Sequence, residues 1–179
     1  KTEIQTYFNR LRNIGAFVSA SRSPSDEDLE QYLAQDRTFE ELRSLQSLLF
    51  IQRVEEPDHE AAFARIQAAH PDAKKEGILP HLPGPYYLVT NYVAGPVDLA
   101  LPVGVDISVL STVRSLVDRS AETGDGVVAS FQKDPVLIAA AKATNYAQVQ
   151  ALLDLDFIIG VPIFDASGLR GFDHLIGWV

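Results

Sequence analysis

Four histidines, His59, His70, His81 and His174, are the first residues to weigh for metal or acid–base chemistry. Their spacing matches no metal-ligand pattern. His59 and His70 lie eleven residues apart on one predicted helix, so they fall roughly on one face but three turns apart, too far to share an ion. Each reads as a surface or half-buried histidine. The chain has no cysteine, which excludes disulfides, thiolate metal sites and cysteine nucleophiles together. Gly124-Asp125-Gly126 is a turn motif before a predicted strand, and no helix follows it to cradle a phosphate. Neither a phosphate-binding glycine loop nor a nucleophile elbow occurs. Asp154 and Asp156 flank the start of a strand, where paired acids stay wet. No nucleophile–base pair and no metal cluster can be named, so the sequence argues against an enzyme and implies no cofactor.

Asp106 is the carboxylate with a second possible role. It follows Gly104 and Val105 at the end of a predicted strand and precedes a helix that opens near Ser108. In one reading Asp106 or Ser108 caps that helix. In the other, a carboxylate at a strand end, beside an apolar sheet face, accepts hydrogen bonds from a ligand.

The elements that must position these groups follow from periodicity. Ile4, Tyr7, Phe8, Leu11, Ile14, Phe17 and Val18 recur at the 3–4 spacing of one amphipathic helix over Thr2–Ser21, with Gly15 its weak point. Ser25 can cap a second helix whose first turn holds Asp26, Glu27 and Asp28, an acidic run that suits the helix dipole. Thr38 and Glu41 stand at capping-box spacing and predict a short helix running towards Leu45. Leu48 to Val54 reads as a strand, and Pro57 opens a helix that Pro71 stops after His70. Prolines and glycines mark Gly77 to Pro85 as a loop.

Tyr86 to Val93 alternates as a strand does, Gly95-Pro96 turns, and Leu99 to Val105 reads as the next strand. A helix from Ser108 to Thr123 stops at Gly124, and Val127 to Phe131 is a further strand. Asn145 to Leu153 is expected to be helical, and Phe157 to Phe164 is the most apolar strand. Asp165-Ala166-Ser167-Gly168 turns into a last strand-like run ending at Val179. Helices first, then strands mixed with helices, favour an α+β domain built on a mostly antiparallel sheet flanked by helices.

Composition bounds the partners. The 179 residues carry 15 Lys+Arg against 24 Asp+Glu, a formal charge of −9. Before Gly77 there are 10 basic against 14 acidic residues, and 5 against 10 from there on. Neither half could neutralise a phosphate backbone, so no nucleic-acid partner is expected, nor an anionic membrane surface. The longest apolar stretch, Phe157 to Phe164, is far short of the roughly 20 residues of a spanning helix. The opening on Lys1 and the lack of any methionine suggest a segment excised from something longer, with any membrane anchor outside it.

Several short runs, in order, resemble the core pattern of CHASE domains. They are Tyr87-Leu88-Val89-Thr90-Asn91-Tyr92-Val93, then Gly104-Val105-Asp106, then Ala121-Glu122-Thr123-Gly124. Before them, Phe50-Ile51-Gln52-Arg53-Val54 resembles that family's strand ending in Arg-Val, with Phe63 in the helix after it. After them, Ile159-Gly160-Val161-Pro162-Ile163-Phe164 is similar to the family's Pro-Val-Tyr strand. The resemblance spans about Ile14 to Val179. Two features depart from it: Lys133 to Leu155 looks longer and more helical than the family's link, and Val128-Ala129-Ser130 lacks the Leu-Thr of plant receptors.

The resemblance implies an extracytoplasmic sensor set between two transmembrane helices of a receptor, such as a histidine kinase or nucleotide cyclase; plant cytokinin receptors are the best-known members. It implies a long N-terminal stalk helix (residues 1–22) followed by PAS-like module(s) over 23–179, ending before a second transmembrane helix. Asp106 matches the family's ligand-contacting aspartate, and Val128 matches a strand residue that lines the pocket and offers backbone groups to an adenine. The expected pocket joins Tyr87, Val89, Val103, Val128 and Phe131 around Asp106, and takes an adenine-like or amine-bearing small molecule. A carboxylate there disfavours anions. The signal is expected to pass through stalk helices of a homodimer. The alternative is a dimerisation or partner-binding module without a small ligand, using the apolar face of Ile4 to Val18 as its interface.

Overall fold

The computed structural model describes residues 3–21, 24–71, 84–95, 103–143, 150, 152–167, 169 and 171–179. His81, Pro96, the 99–102 part of the second expected strand and most of the expected 145–153 helix lie outside the described residues. Two helices begin the chain, α1 (Glu3–Ser21) and α2 (Asp26–Gln35), followed by a single turn, α3 (Thr38–Glu41). Strand β1 (Leu48–Glu55), helix α4 (His59–Ala69), strand β2 (Tyr86–Ala94) and helix α5 (Ser111–Thr123) come next. The chain closes with β3 (Val127–Ala129), α6 (Pro135–Ala143), β4 (Ile158–Gly160), β5 (Pro162–Phe164) and β6 (Leu175–Trp178).

The sheet is antiparallel, in the order β2-β1-β6-β5, while β3 and β4 pair in a separate two-stranded sheet. The chain is thus α+β with a mostly antiparallel sheet and helices on both faces. Residues 103–107 lie along the outer edge of β2. Gly104 N–H donates to Thr90 C=O at 2.7 Å, Thr90 N–H to Val105 C=O at 3.0 Å, and Ile107 N–H to Leu88 C=O at 2.8 Å. Gly177 sits where β6 crosses β1, and a Cβ there would stand 2.2 Å from the Ile51 carbonyl oxygen, so only glycine lets the two strands pair.

The run expected as one strand, 157–164, divides. Ile158–Gly160 pairs with β3 and Pro162–Phe164 with β6, while Val161 exchanges both backbone hydrogen bonds with Val179 at 2.7 and 3.0 Å. A proline at 162 cannot donate to a ladder, which suits the point where the chain leaves one sheet for the next.

Helix α1 does not stand apart from the domain. Leu11, Ile14 and Val18 are buried with Leu29, Leu33, Phe50, Val161, Ile163 and Val179. Gly15, the weak point of the helix by propensity, lets β5 come close: a Cβ there would lie 3.3 Å from Ile163. Of the apolar residues on this helix, Ile4 is exposed. The inner face of Ile4 to Val18 is therefore occupied by the chain's own core. Arg10 on the same helix pairs with Asp36 and Glu41, tying α1 to the end of α2 and to α3.

The caps are partly as expected. Ser25 and Asp28 form a reciprocal capping box, with Asp28 N–H to Ser25 Oγ at 3.2 Å and Ser25 N–H to Asp28 Oδ2 at 2.9 Å. Hydrogen bonds from Ser25 hold the Asp28 carboxyl below its usual range. The box expected at Thr38 and Glu41 does not form: Arg37 is the N-cap, in the left-handed region at φ 52°, and Thr38 turns its hydroxyl back to Asp36 Oδ2 at 2.9 Å. That helix stops at Glu41 instead of running to Leu45. Gly124 ends α5 at φ 71°, a conformation that favours glycine. Among the described residues, no helix is long and apolar enough to cross a membrane.

Candidate functional site

The six residues expected to share one pocket fall in three places. Tyr87 and Val89 are buried under α4 with Val54, Ala62, Phe63 and Ile66, and Val103 packs against them half-buried. Asp106 lies opposite Val89 in the edge bridge, so it belongs to this same neighbourhood. Phe131 is buried on the opposite side of the sheet, with Leu88, Val113, Val117 and Trp178. Val128 is 46% exposed on β3 and is not among the residues lining the cavity that Phe131 lines. The cause is the pleat together with the chain path. Alternation sends Leu88 to the α5 side and its neighbours Tyr87 and Val89 to the α4 side. The β3–β4 ribbon is a separate sheet, and its middle position faces outward.

Asp106 holds backbone. Its Oδ1 accepts the Ser108 N–H at 2.9 Å and the Leu88 N–H at 3.2 Å, closing the turn before α5 and bracing the edge of β2. This is close to the capping reading, displaced by three residues because α5 opens at Ser111. His59, the first residue of α4, packs its ring against Tyr87, with centroids 4.1 Å apart, and against Phe63 at 4.6 Å. Among the described residues, the α4 side of the sheet around Tyr87 and Val89 is packed by Val54, Phe63, Ile66 and the His59 ring.

Among the described residues, a cavity of about 360 Å³ lies on the other side, between the sheet, α5, the N-terminal helix and the β4 strand. Its inner wall includes Val113, Leu116, Val117, Phe131, Leu152 and Trp178, all buried. Exposed Ser44, Gln46, Asp154, Asp156 and Phe157 stand at its mouth. The volume is within the range of small-molecule sites, and an apolar wall with a few polar groups at one end is their usual composition. Trp178, the chain's one tryptophan, is fixed there by its indole N–H, which donates to Ser120 Oγ at 2.7 Å.

One buried carboxylate organises this wall and was not singled out from sequence. Asp134, with no exposed surface, accepts from Val136 N–H (3.0 Å) and Leu137 N–H (3.3 Å) as the cap of its own helix α6. Its other oxygen accepts from Thr112 N–H (2.9 Å) and Ser111 Oγ (3.0 Å) in the first turn of α5, whose own N-cap, Leu110, supplies no side-chain bond. Burial works to raise its pKa, but the donated hydrogen bonds outweigh it and hold the carboxyl below its usual value. The signal in the sequence is Asp-Pro at 134–135, an N-cap followed by proline at the first helical position.

Asp165, Ser167 and His174 form a serine–histidine–aspartate grouping without nucleophile geometry. Ser167 Oγ (3.2 Å) and Asp165 Oδ2 (3.0 Å) both face the same ring nitrogen, Nδ1. A nucleophilic relay needs serine and carboxylate on opposite ring nitrogens. Ser167 also donates to Asp165, and these bonds, with His174, hold the Asp165 carboxyl down at about 2. Among the described residues, no group of three or more His, Asp or Glu side chains is placed to hold a metal ion. No family model matches the chain, and no curated protein sequence matches it.

Proposed function

We propose that this chain is a small-molecule-binding sensor domain, a PAS-like α+β module from the extracytoplasmic part of a membrane receptor of the histidine-kinase or nucleotide-cyclase type, and that it is not itself an enzyme. The observation that carries the binding half is the cavity of about 360 Å³ with a buried apolar wall and a polar mouth. The receptor half rests on the CHASE-like order of motifs from Phe50 to Phe164. The ligand site in this reading is the cavity beside Phe131 and Trp178. The Asp106 neighbourhood, packed by Tyr87, Val89 and His59, is its structural support. The alternative, dimerisation through the inner face of α1, loses its surface, because Leu11, Ile14 and Val18 are buried in the chain's own core.

A thermal-shift panel of small apolar amines, alcohols, carboxylates and adenine derivatives tests the reading. A ligand at a hundred times its dissociation constant stabilises by about 2.7 kcal/mol, which raises the melting temperature by about 5 to 10 °C in a chain of this size. Val113→Phe, which fills the cavity from α5, is expected to abolish the shift while the far-UV spectrum and the unliganded melt stay intact. A hit that survives in Val113→Phe would move the ligand elsewhere on the molecule.

A further inference from the structure

The cavity changes chemistry with depth. Its wall is apolar and carries two large rings, Phe131 and Trp178. Among the described residues, the charges lining it are the carboxylates of Asp154 and Asp156, both exposed, and no Lys, Arg or His of these residues lines it. Asp154 Oδ1 accepts from Gln150 Nε2 at 3.0 Å, and neither carboxylate has a cationic partner among the described residues. The two acids are one residue apart in sequence, on either side of Leu155, which also lines the cavity. They therefore stand at one edge of the mouth. Ser44 and Gln46, also exposed, are among the lining residues and carry further acceptor groups.

This arrangement selects by charge. An anion entering past the two carboxylates meets like charge while losing its hydration, and both effects oppose it. A neutral molecule gains burial of its apolar body alone. A molecule with an ammonium on an apolar body gains the same burial and adds charge-assisted hydrogen bonds to carboxylates that keep part of their solvation. We propose that the cavity takes an apolar amine, with the ring or chain against Phe131 and Trp178 and the ammonium held at the mouth by Asp154 and Asp156. The inference rests on the cavity being a ligand site and goes beyond it by naming the ligand's head group and the residues that read it.

The test uses Trp178 as the reporter, since it is the one tryptophan and lies in the wall. Trp178 fluorescence of the full chain is titrated with 2-phenylethylamine, 2-phenylethanol and 3-phenylpropionate, which share a phenyl body and differ in head-group charge. The amine is expected to bind at least tenfold more tightly than the alcohol, and the carboxylate most weakly. In an Asp154→Asn, Asp156→Asn double variant, the amine's advantage should collapse towards unity while the alcohol's affinity holds. Both positions are exposed, so folding is not at stake, and an unchanged melting temperature checks this. An alcohol that binds as well as the amine, or an advantage untouched in the double variant, overturns the amine assignment and leaves the cavity a ligand site. If none of the three probes alters Trp178 fluorescence or the melting temperature, the ligand-site reading falls with it.

Discussion

Asp134 is expected to be among the most costly surface-remote side chains to remove, because one carboxylate starts two helices. Replacing it with alanine deletes the cap of α6 and the cap that α5 borrows across space, at about 1 kcal/mol each. Because the Asp134 site is fully buried, water cannot replace the lost acceptor, and the two caps lie towards the upper end of their range, roughly 1 kcal/mol more in all. The sum, about 3 kcal/mol, corresponds to a fall in melting temperature of about 6 to 12 °C. Asparagine keeps one carbonyl oxygen and caps α6 as well as aspartate does, but turns an amide N–H₂ towards Thr112, so about half the loss should remain. The pH dependence has a fixed sign. Hydrogen bonding holds the folded-state pKa below the unfolded value near 3.8, so the ionised form's contribution is complete above about pH 4 and is lost as pH falls through the folded pKa. Urea melts of wild type, Asp134→Asn and Asp134→Ala at pH 7 and pH 3 measure both effects, and the gap between wild type and variants should narrow at pH 3. Because Val113, Leu116 and Val117 on α5 form part of the cavity wall, probe affinity should fall with stability in the alanine variant. An alanine variant melting within about 2 °C of wild type, or a gap that does not change with pH, would refute the shared-cap reasoning.

Gly177→Ala should cost about 3 kcal/mol or more, since the new Cβ would meet the Ile51 carbonyl oxygen at 2.2 Å between paired strands, and the loss is read by chemical denaturation. Tyr92→Phe should be neutral or stabilising by up to about 1 kcal/mol, because it removes a buried hydroxyl with no hydrogen-bond partner among the described residues. Burial, with Glu30 and Asp26 nearby, pushes that phenol up to about 12, so wild type should lose stability as pH rises from about 10 towards 12 and the variant should lack that part of the loss. Ser167→Ala should raise the Asp165 pKa from about 2 towards its ordinary value, followed by carboxyl-carbon NMR titration, with little change in melting because the loop is solvated.

Local patterns gave the elements well where the signal is local. Apolar residues at 3–4 spacing marked α1, and a serine before three acids marked the start of α2. Alternation marked β2, and a glycine marked the end of α5. The errors came where two local choices compete and the packing decides between them. Thr38 has capping-box spacing to Glu41, yet its hydroxyl goes to Asp36 because Arg37 turns left-handed first. The apolar run 157–164 carries one mark of its division, Pro162, but both halves are strand-like, and a proline at a strand's first residue is also compatible with one strand beginning there. The partners, β3 on one side and β6 on the other, make the difference. Asp106 had two roles open from its place before a helix, and the backbone N–H groups of Leu88 and Ser108 occupy one of its oxygens.

The cavity is a harder object for a sequence to announce. Its walls come from α1 (Tyr7, Leu11), the segment before β1 (Ser44 to Ser47), α5, Phe131, the stretch from Leu152 to Gly160, and the C-terminal Trp178 and Val179. Every apolar one of these is accounted for by its own element as ordinary core, so no run of residues singles out the empty space among them. The polar residues at the mouth are equally ordinary one by one: Asp154 and Asp156 read as wet acids at a strand start, and they are exposed. What makes them a recognition group in this proposal is their position over an apolar wall that reaches back to Tyr7, 149 residues before Asp156, and position of that kind is a property of the fold. Phe131 was named from sequence as a pocket residue, but in company with Tyr87, Val89 and Val103, which the pleat sends to the other face, and with Val128, which stands exposed on β3. Trp178 was legible only as the near-end of an apolar strand. A central β6, fixed by the glycine beside it and by the bond from its indole to Ser120, carries that ring from the end of the chain into the cavity wall. The same bond gives the fluorescence experiment its meaning, because a ring held in one position reports on what arrives beside it.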